Sequence, residues 1–567
     1  MSEPTSNTTP RPVRPAVLRV LVASLAHAVI MLLAFPPFDL WWLIFLAPTP
    51  LVIAATSDLR FHWTGLLLFL PMVGTWLVHQ WWVGEVSGAG LVPMAAYLAA
   101  WTPLIAWVIA RLSRSRRLGT WPLAALVPIA WTGLEFLRAT IAFDGYPWYL
   151  LGQPLVEWLP LAQPADIGGV TLLAILPGIT GGLLADLVLH RGSGRGRAAA
   201  CGVATLVLAA WVGYGLMRLD APSPTTPGPT ILAIQTNLPQ SNKVAWTPEQ
   251  QWEDAVGFAR DTVTAFREAD AAGQRIDLVA WPETMLPGVG LEPASTTIMQ
   301  DAGWWPGNRF AELAMELQAL LEVPLLLGSG SYEGLRIIGE GADGRLEWDR
   351  RFNSVYLLDE RGTKATGRYD KVFLTPFGER MPYISAWPWL EQKLLDLGAR
   401  GMSFDLAAGD QATLLEYRSE SGPSIPIGTP ICFEDTVPRA CRSLVWKDGR
   451  KAAAILVNAS NDGWFGRSGG PRAAHLQLAR FRAIENRVPL VRVVNTGTSA
   501  WIDSNGRIQA SCPPLEPSSL VARPLIDDRH PPFARIGQWP SGVLAIAVMV
   551  LLLATIREPS DTAARNS

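Results

Sequence analysis

Cys432 closes a short apolar run in "IGTPICFEDT" (427–436) and is followed at once by Glu434 and Asp435. A thiol is a weak nucleophile until it becomes a thiolate, so a reactive cysteine needs a base nearby. Glu283 in "WPET" supplies a carboxylate, and Lys371 in "YDKVFLTPFGERMP" supplies an ammonium. The carboxylate can take the thiol proton as general base. The ammonium, with a backbone N–H beside the cysteine, can hold the oxyanion of a tetrahedral intermediate. The chemistry of such a set is attack of the sulfur on an acyl carbonyl, which by itself does not separate hydrolysis from transfer. Taken singly, each residue has a plainer reading: a loop acid, a solvated surface charge and a small core residue. Their joint occurrence inside three longer motifs favours the chemical one.

These residues must be placed by the elements around them. After the linker "PSPTTPGPT" (222–230), strand-like and helix-like stretches alternate. "ILAIQTN", "IDLVAWPE", "PLLLGSG", "NSVYLLD", "IPIGTPICFE", "AAAILVNASND" and "PLVRVVNTGTSAWID" read as strands; 248–273, 308–322 and 471–487 read as helices. This alternation argues for a layered α/β domain. Glu283, Cys432 and the stretch Asn458 to Asp462 all end strands, where open α/β sheets place their sites. Among the other cysteines, Cys201 falls in an apolar run, and a disulfide between Cys441 and Cys512 stays open. No metal-ligand spacing and no dinucleotide fingerprint is present, so neither a metal nor a cofactor is expected. A net charge of −2 gives no reason to expect nucleic acid.

The rest of the chain is apolar. Runs of about 20 apolar residues suit a bilayer core roughly 30 Å thick. Seven candidates precede the α/β part, at 16–34, 39–56, 62–82, 89–110, 120–138, 164–189 and 198–217, and an eighth lies at 538–556. The expected organisation is a tail at 1–15, a seven-span membrane domain at 16–218, a catalytic domain at 219–537, an eighth span at 538–556 and a tail at 557–567. "ARLSRSRR" (110–117), "HRGSGRGR" (190–197), Arg60 and the arginines before span one lie in alternate loops, which the positive-inside rule places in the cytoplasm. Seven crossings then put the catalytic domain outside. "AHA" at 26–28 resembles a cleavage site, but the apolar run continues through Phe35, which favours an uncut anchor. Trp pairs at 41–42 and 81–82 fit an interfacial belt. Glu135 and Asp186 fall in or near spans; intramembrane charges suit transport, so a transporter or receptor with a ligand-binding outer domain is the alternative from another class.

The order Glu, Lys, Cys within "WPET", "YDKVFLTPFGER" and "ICFED" resembles the nitrilase (carbon–nitrogen hydrolase) superfamily. With seven preceding spans and one following, the chain is similar over nearly its whole length to the apolipoprotein N-acyltransferase family within it. "QTNLPQ" (235–240), 458–503 and "PPFARIGQW" (531–539) match as well. The resemblance implies an αββα sandwich. It implies Cys432 as nucleophile, Glu283 as base, Lys371 as oxyanion stabiliser and Glu379 as support for the lysine. Phe433 and Glu434 match the pair after the cysteine, where the family often has Tyr in place of Phe433. Trp246 matches a loop tryptophan near the site, although "QSNKVAW" is longer than expected. Trp246, Trp304, Trp305, Asn461 and Trp464 are the candidates for substrate binding. The aromatic loops at 302–307, 383–390 and 462–466 are candidate lids at the membrane surface.

The implied reaction moves an acyl chain from a phospholipid to Cys432, then to the α-amine of the diacylglyceryl-cysteine of an apolipoprotein, the last step of lipoprotein maturation. The implied setting is a monomer in a bacterial inner membrane with its catalytic domain periplasmic. A membrane-tethered amidase using water as acceptor is the alternative from the same chemistry.

Overall fold

The computed structural model describes residues 13–221, 225–239, 246–339, 344–362, 367–384, 387, 389, 393, 406–418 and 424–556. Most of the N-terminal tail, the tail at 557–567, part of the linker, 240–245 of "QSNKVAW" and 385, 386, 388 and 390 of the "YISAWPWL" loop lie outside the described residues.

Apolar composition and length make seven helices able to cross a bilayer among the described residues. These are α1 (Val13–Ala34), α3 (Phe61–His79), α4 (Gly88–Ser113), α5 (Leu123–Thr140), α6 (Ile175–Val188) with the 3₁₀ turn Val170–Ala174 before it, α7 (Gly194–Asp220) and α12 (Trp539–Ile556). The candidate at 39–56 differs from the other seven. It folds as a 3₁₀ turn Trp41–Phe45 and a short α2 (Pro48–Ala55), because Pro48 starts a new helix inside the apolar run. At 1.5–2.0 Å per residue it reaches about 25 Å, less than the usual span. Its ends nevertheless lie at opposite ends of the bundle. Leu40 N donates to Leu33 O at the end of α1, and the Arg114 guanidinium donates to Ala55 O and Ser57 O just past α2. The chain therefore returns alongside α1 before α3 begins. Glu135 accepts from Leu151 N at 2.8 Å, and Asp186 accepts from Ala124 N at 3.2 Å, so both intramembrane acids hold backbone in place.

The α/β part holds two six-stranded sheets. The first, in the order β12-β1-β2-β3-β4-β5, comprises β1 (Ile231–Gln235), β2 (Leu278–Ala280), β3 (Leu325–Glu333), β4 (Arg350–Leu358), β5 (Gly367–Asp370) and β12 (Ser518–Ala522). The second, in the order β11-β10-β9-β8-β7-β6, comprises β6 (Leu415–Tyr417), β7 (Ile425–Gly428), β8 (Ile455–Ser460), β9 (Leu490–Val494), β10 (Ala500–Ile502) and β11 (Ile508–Ser511). Each sheet has three parallel strands at its centre, β1-β2-β3 and β7-β8-β9, with antiparallel strands outside them. Both faces of the first sheet are covered, so its strands read as continuous apolar runs. In β1, Ile231 and Ala233 join the core between the sheets, while Leu232 and Ile234 face α8 (Pro248–Ala271) and α9 (Arg309–Leu321). On the other side, α10 (Pro438–Val445) and α11 (Gly469–Asn486) cover the second sheet, completing an αββα sandwich. Cys441 and Cys512 are both buried and both free.

Helix α11 joins the two halves. Ala479 and Ala483 face the sheet, whereas Ala474, Leu478, Phe481 and Ile484 pack into the membrane-domain core. Its polar residues are used in the same seam. Arg487 donates to Asp166 at 2.6 Å, Arg480 to Glu157 at 3.0 Å, and Glu485 accepts from Val170 N at 2.9 Å. Asp166 also accepts from Arg218 and from the Tyr214 hydroxyl at the end of α7.

Candidate active site

Glu283 follows β2, Lys371 follows β5 and Cys432 follows β7, so each lies just beyond a strand end on the sandwich. Cys432 begins the 3₁₀ turn Cys432–Thr436, with φ of +49°. Thr284, next to Glu283, has φ of +52°. Non-glycine residues in this region cost of order 1–3 kcal/mol each and persist where surrounding structure over-determines them. Here one strained position is Cys432 itself and the other directly follows Glu283.

The charges converge. Lys371 is 1% exposed, and its Nζ lies 2.7 Å from Glu379 Oε2 and 3.9 Å from Glu283 Oε1. Burial works against the ammonium, but the carboxylates of Glu379 and Glu283 outweigh it and hold its pKa above the ordinary value. Burial likewise opposes the Glu379 charge, and Lys371 with the Thr375 N–H overcomes it, holding that carboxyl below its ordinary range. The Cys432 thiol is pushed well up, first by burial and next by the charge of Glu283, while Lys371 acts the other way. The sulfur therefore rests as a thiol and must hand its proton to a base to react. Glu283 Oε2 is buried with no hydrogen-bond partner among the described residues, which leaves one oxygen available for that proton.

The surrounding residues fix this set. Asn353 on β4 donates through Nδ2 to Glu283 Oε1 at 2.6 Å and to Glu379 Oε1 at 3.4 Å, bridging the two carboxylates. Sequence reading did not single out Asn353; an amide in the apolar strand "RFNSVYLL" was the available signal. Glu434 Oε1 accepts from Val372 N, Phe373 N and the Tyr369 hydroxyl, and its Oε2 accepts from Ile431 N at 2.7 Å. It thus pins the loop that carries Lys371 to the turn that carries Cys432. Phe433 is buried against the membrane-domain cluster.

The substrate-binding candidates divide into two groups. Trp246, Trp304 and Trp305 line one cavity of about 520 Å³, together with Met299, Thr284 and Asn353. This cavity therefore adjoins Glu283 through Thr284 and Asn353. Asn461 and Trp464 lie elsewhere, in the loop after β8. Asn461 Oδ1 accepts from Gly463 N and Asn495 Nδ2, which holds the turn Asp462–Phe465. Phe465 packs on Trp82 and Trp148 of the membrane domain, with ring centroids 4.9 and 5.8 Å apart.

A strand-end cysteine, lysine and glutamate on an αββα sandwich define a carbon–nitrogen hydrolase-type domain. The family profile "Carbon-nitrogen hydrolase" matches residues 233–524, and "Apolipoprotein N-acyltransferase N-terminal domain" matches residues 27–183. An apolipoprotein N-acyltransferase of Geobacter metallireducens is 32% identical over 81% of this chain and 78% of its own. One of Rhizobium rhizogenes is 31% identical over 86% of this chain and 87% of its own. A solved carbon-nitrogen hydrolase of Helicobacter pylori is 14% identical over 55% of this chain and 93% of its own, with a TM-score of 0.34. The chain belongs to the apolipoprotein N-acyltransferase family.

Proposed function

We propose that this protein moves an acyl chain from a phospholipid to Cys432 and then to the α-amine of a diacylglyceryl-cysteine at the N-terminus of an apolipoprotein. The observation that carries the reading is one buried cluster in which Glu283, Lys371 and Glu379 meet and bear electrostatically on the Cys432 sulfur.

Glu283 takes the Cys432 proton as the sulfur attacks the ester carbonyl. The Lys371 ammonium holds the resulting oxyanion, and Glu379 keeps that ammonium charged and aimed. Collapse breaks the ester C–O bond, and the proton on Glu283 passes to the departing alkoxide, giving a lysophospholipid and a thioester. The amine of the second substrate then attacks the thioester carbonyl and gives its proton to Glu283. Collapse releases the Cys432 thiolate, which takes that proton back, and leaves an amide.

The membrane domain accounts for the choice of substrates. Burial of an acyl chain is worth about 0.8 kcal/mol per CH₂, so a chain of ~16 carbons cannot leave the bilayer at each turnover. A site strapped to the membrane meets both substrates where they reside. Residues 16–218 and 538–556 form the anchor, and residues 219–537 work on the periplasmic side of a bacterial inner membrane, as a monomer. The cavity lined by Trp246, Trp304 and Trp305 receives part of a substrate beside Glu283. The loop carrying Tyr383 and Phe377 acts as a lid: both rings pack on Phe143 next to the membrane helices.

Purified protein given phospholipid and a synthetic diacylglyceryl-cysteinyl peptide tests the reading. N-acylated peptide and lysophospholipid in equal amounts are expected. Free fatty acid in place of the amide indicates hydrolysis and contradicts transfer.

A further inference from the structure

Behind Cys432 lies a second set of charges that the two-step chemistry does not use. His475, on α11 and 1% exposed, directs Nε2 at Asp435 Oδ1 (2.6 Å) and Nδ1 at Asp462 Oδ1 (3.0 Å). Arg492, on β9 and fully buried, donates to Asp435 Oδ2 at 3.1 Å and to Asp462 Oδ1 at 3.2 Å. Asp435 belongs to the turn that begins with Cys432, and Asp462 begins the turn Asp462–Phe465. The imidazole ring also lies 5.2 Å from Trp148 of the membrane domain and 6.0 Å from Phe465. Arg472, on the same helix, faces Asp462 as well, and it is also within electrostatic reach of Glu85.

A ring nitrogen satisfies a carboxylate only as a donor, and an imidazole donates from both nitrogens only as the imidazolium. With Arg472 set against Glu85, the two aspartates and Arg492 carry a net charge of −1, and the imidazolium brings those four groups to zero. An unbalanced buried charge is costly. The charge of Asp462 also already acts on the Cys432 thiol in the direction that disfavours thiolate.

We propose that His475 is a positioning residue: as an imidazolium it cross-links the Cys432 turn to the Asp462 turn and keeps the ground behind the nucleophile electrically neutral. The proposal rests on the acyl-transfer reading for its kinetic consequence only. The pKa of His475 is held above the ordinary histidine value: burial and Arg492 oppose the charge, but Asp435 and Asp462 prevail. The cross-link's contribution to stability is therefore complete below the ordinary histidine pKa of about 6.5 and is lost as pH rises through the folded-state value.

The test uses the full chain in detergent micelles. Imidazole NMR on histidine-labelled protein, with the His475 signals among the six histidines assigned by their loss in His475→Gln, is expected to show an imidazolium at pH 7. His475→Gln is expected to lower kcat for thioester formation at least tenfold with KM for phospholipid changed less than twofold. It should slow alkylation of Cys432 by iodoacetamide by a similar factor. Adding Asp462→Asn to His475→Gln returns the cluster to zero charge and is expected to recover part of the alkylation rate. A neutral imidazole at pH 7, an unchanged alkylation rate in His475→Gln, or a further loss in the double variant overturns the proposal. If His475→Gln does not fold, the wild-type spectrum, assigned through His475→Asn, still decides. If no thioester forms in the wild type, the acyl-transfer reading fails while NMR and alkylation still judge His475.

Discussion

In the proposed mechanism Cys432 and Glu283 are the two ends of one proton transfer. The sulfur holds its proton tightly, and the carboxylate keeps one oxygen free to remove it. Glu283→Gln keeps the shape and the Asn353 contact but cannot accept a proton. Thioester formation should fall by roughly 10²–10⁴-fold, the usual worth of general-base catalysis, as measured by single-turnover kinetics. Lys371→Met removes the oxyanion partner, and about 10²–10³-fold is expected for a lost donor of this kind. A variant within threefold of wild type in either case contradicts the assigned role. Glu283, Lys371 and Cys432, which the structure brings together, could be singled out in the sequence because each sits in a motif whose neighbours are unusual for its plain reading. Asn353 was not legible. A single amide in a mostly apolar strand carries no sign of a partner, and only the convergence of two strand ends turns it into a bridge between carboxylates. Glu434 was legible as a match and not as a mechanism, since its role depends on a loop 61–65 residues away in sequence.

At the scale of elements, seven of the eight apolar runs became helices of spanning length, because length and composition alone decide that outcome. The exception is α2, where Pro48 and Pro50 interrupt a run that average hydropathy cannot tell from its neighbours. Helix α11 illustrates the opposite difficulty. "RAAHLQLARFRAIENR" carries four arginines and reads as a helix with one wet face, yet nearly all of it is buried. Its charges are matched by Asp166, Glu157 and Val170 N from loops of the membrane domain, and no local pattern announces those partners. Arg487 and Asp166 are both fully buried, so removing one leaves the other uncompensated. Arg487→Met should destabilise the fold by roughly 3–5 kcal/mol, seen as a lower thermal midpoint in detergent. An unchanged midpoint contradicts the view that this pair locks the two domains together.

For the whole molecule, acyl transfer at the membrane requires one sidedness. α2 completes the return of the chain, and the proposed orientation therefore puts the charged loops at 111–117 and 191–197 on one side and residues 219–537 on the other. Arg345→Cys, at an exposed position of the catalytic domain, should react with a membrane-impermeant maleimide in spheroplasts. Ser193→Cys should react only after permeabilisation, and the reverse pattern contradicts the orientation. The central claim is that a glutamate, a lysine and a cysteine far apart in the chain form one acyl-accepting centre open to lipid. Its most direct measurement is the intact mass of the purified protein after exposure to phospholipid vesicles. One added acyl group on Cys432 is predicted, absent from Cys432→Ser and Glu283→Gln and released when a diacylglyceryl-cysteinyl peptide is added. An unmodified wild-type mass, or an acyl group that stays in place when the amine arrives, contradicts it.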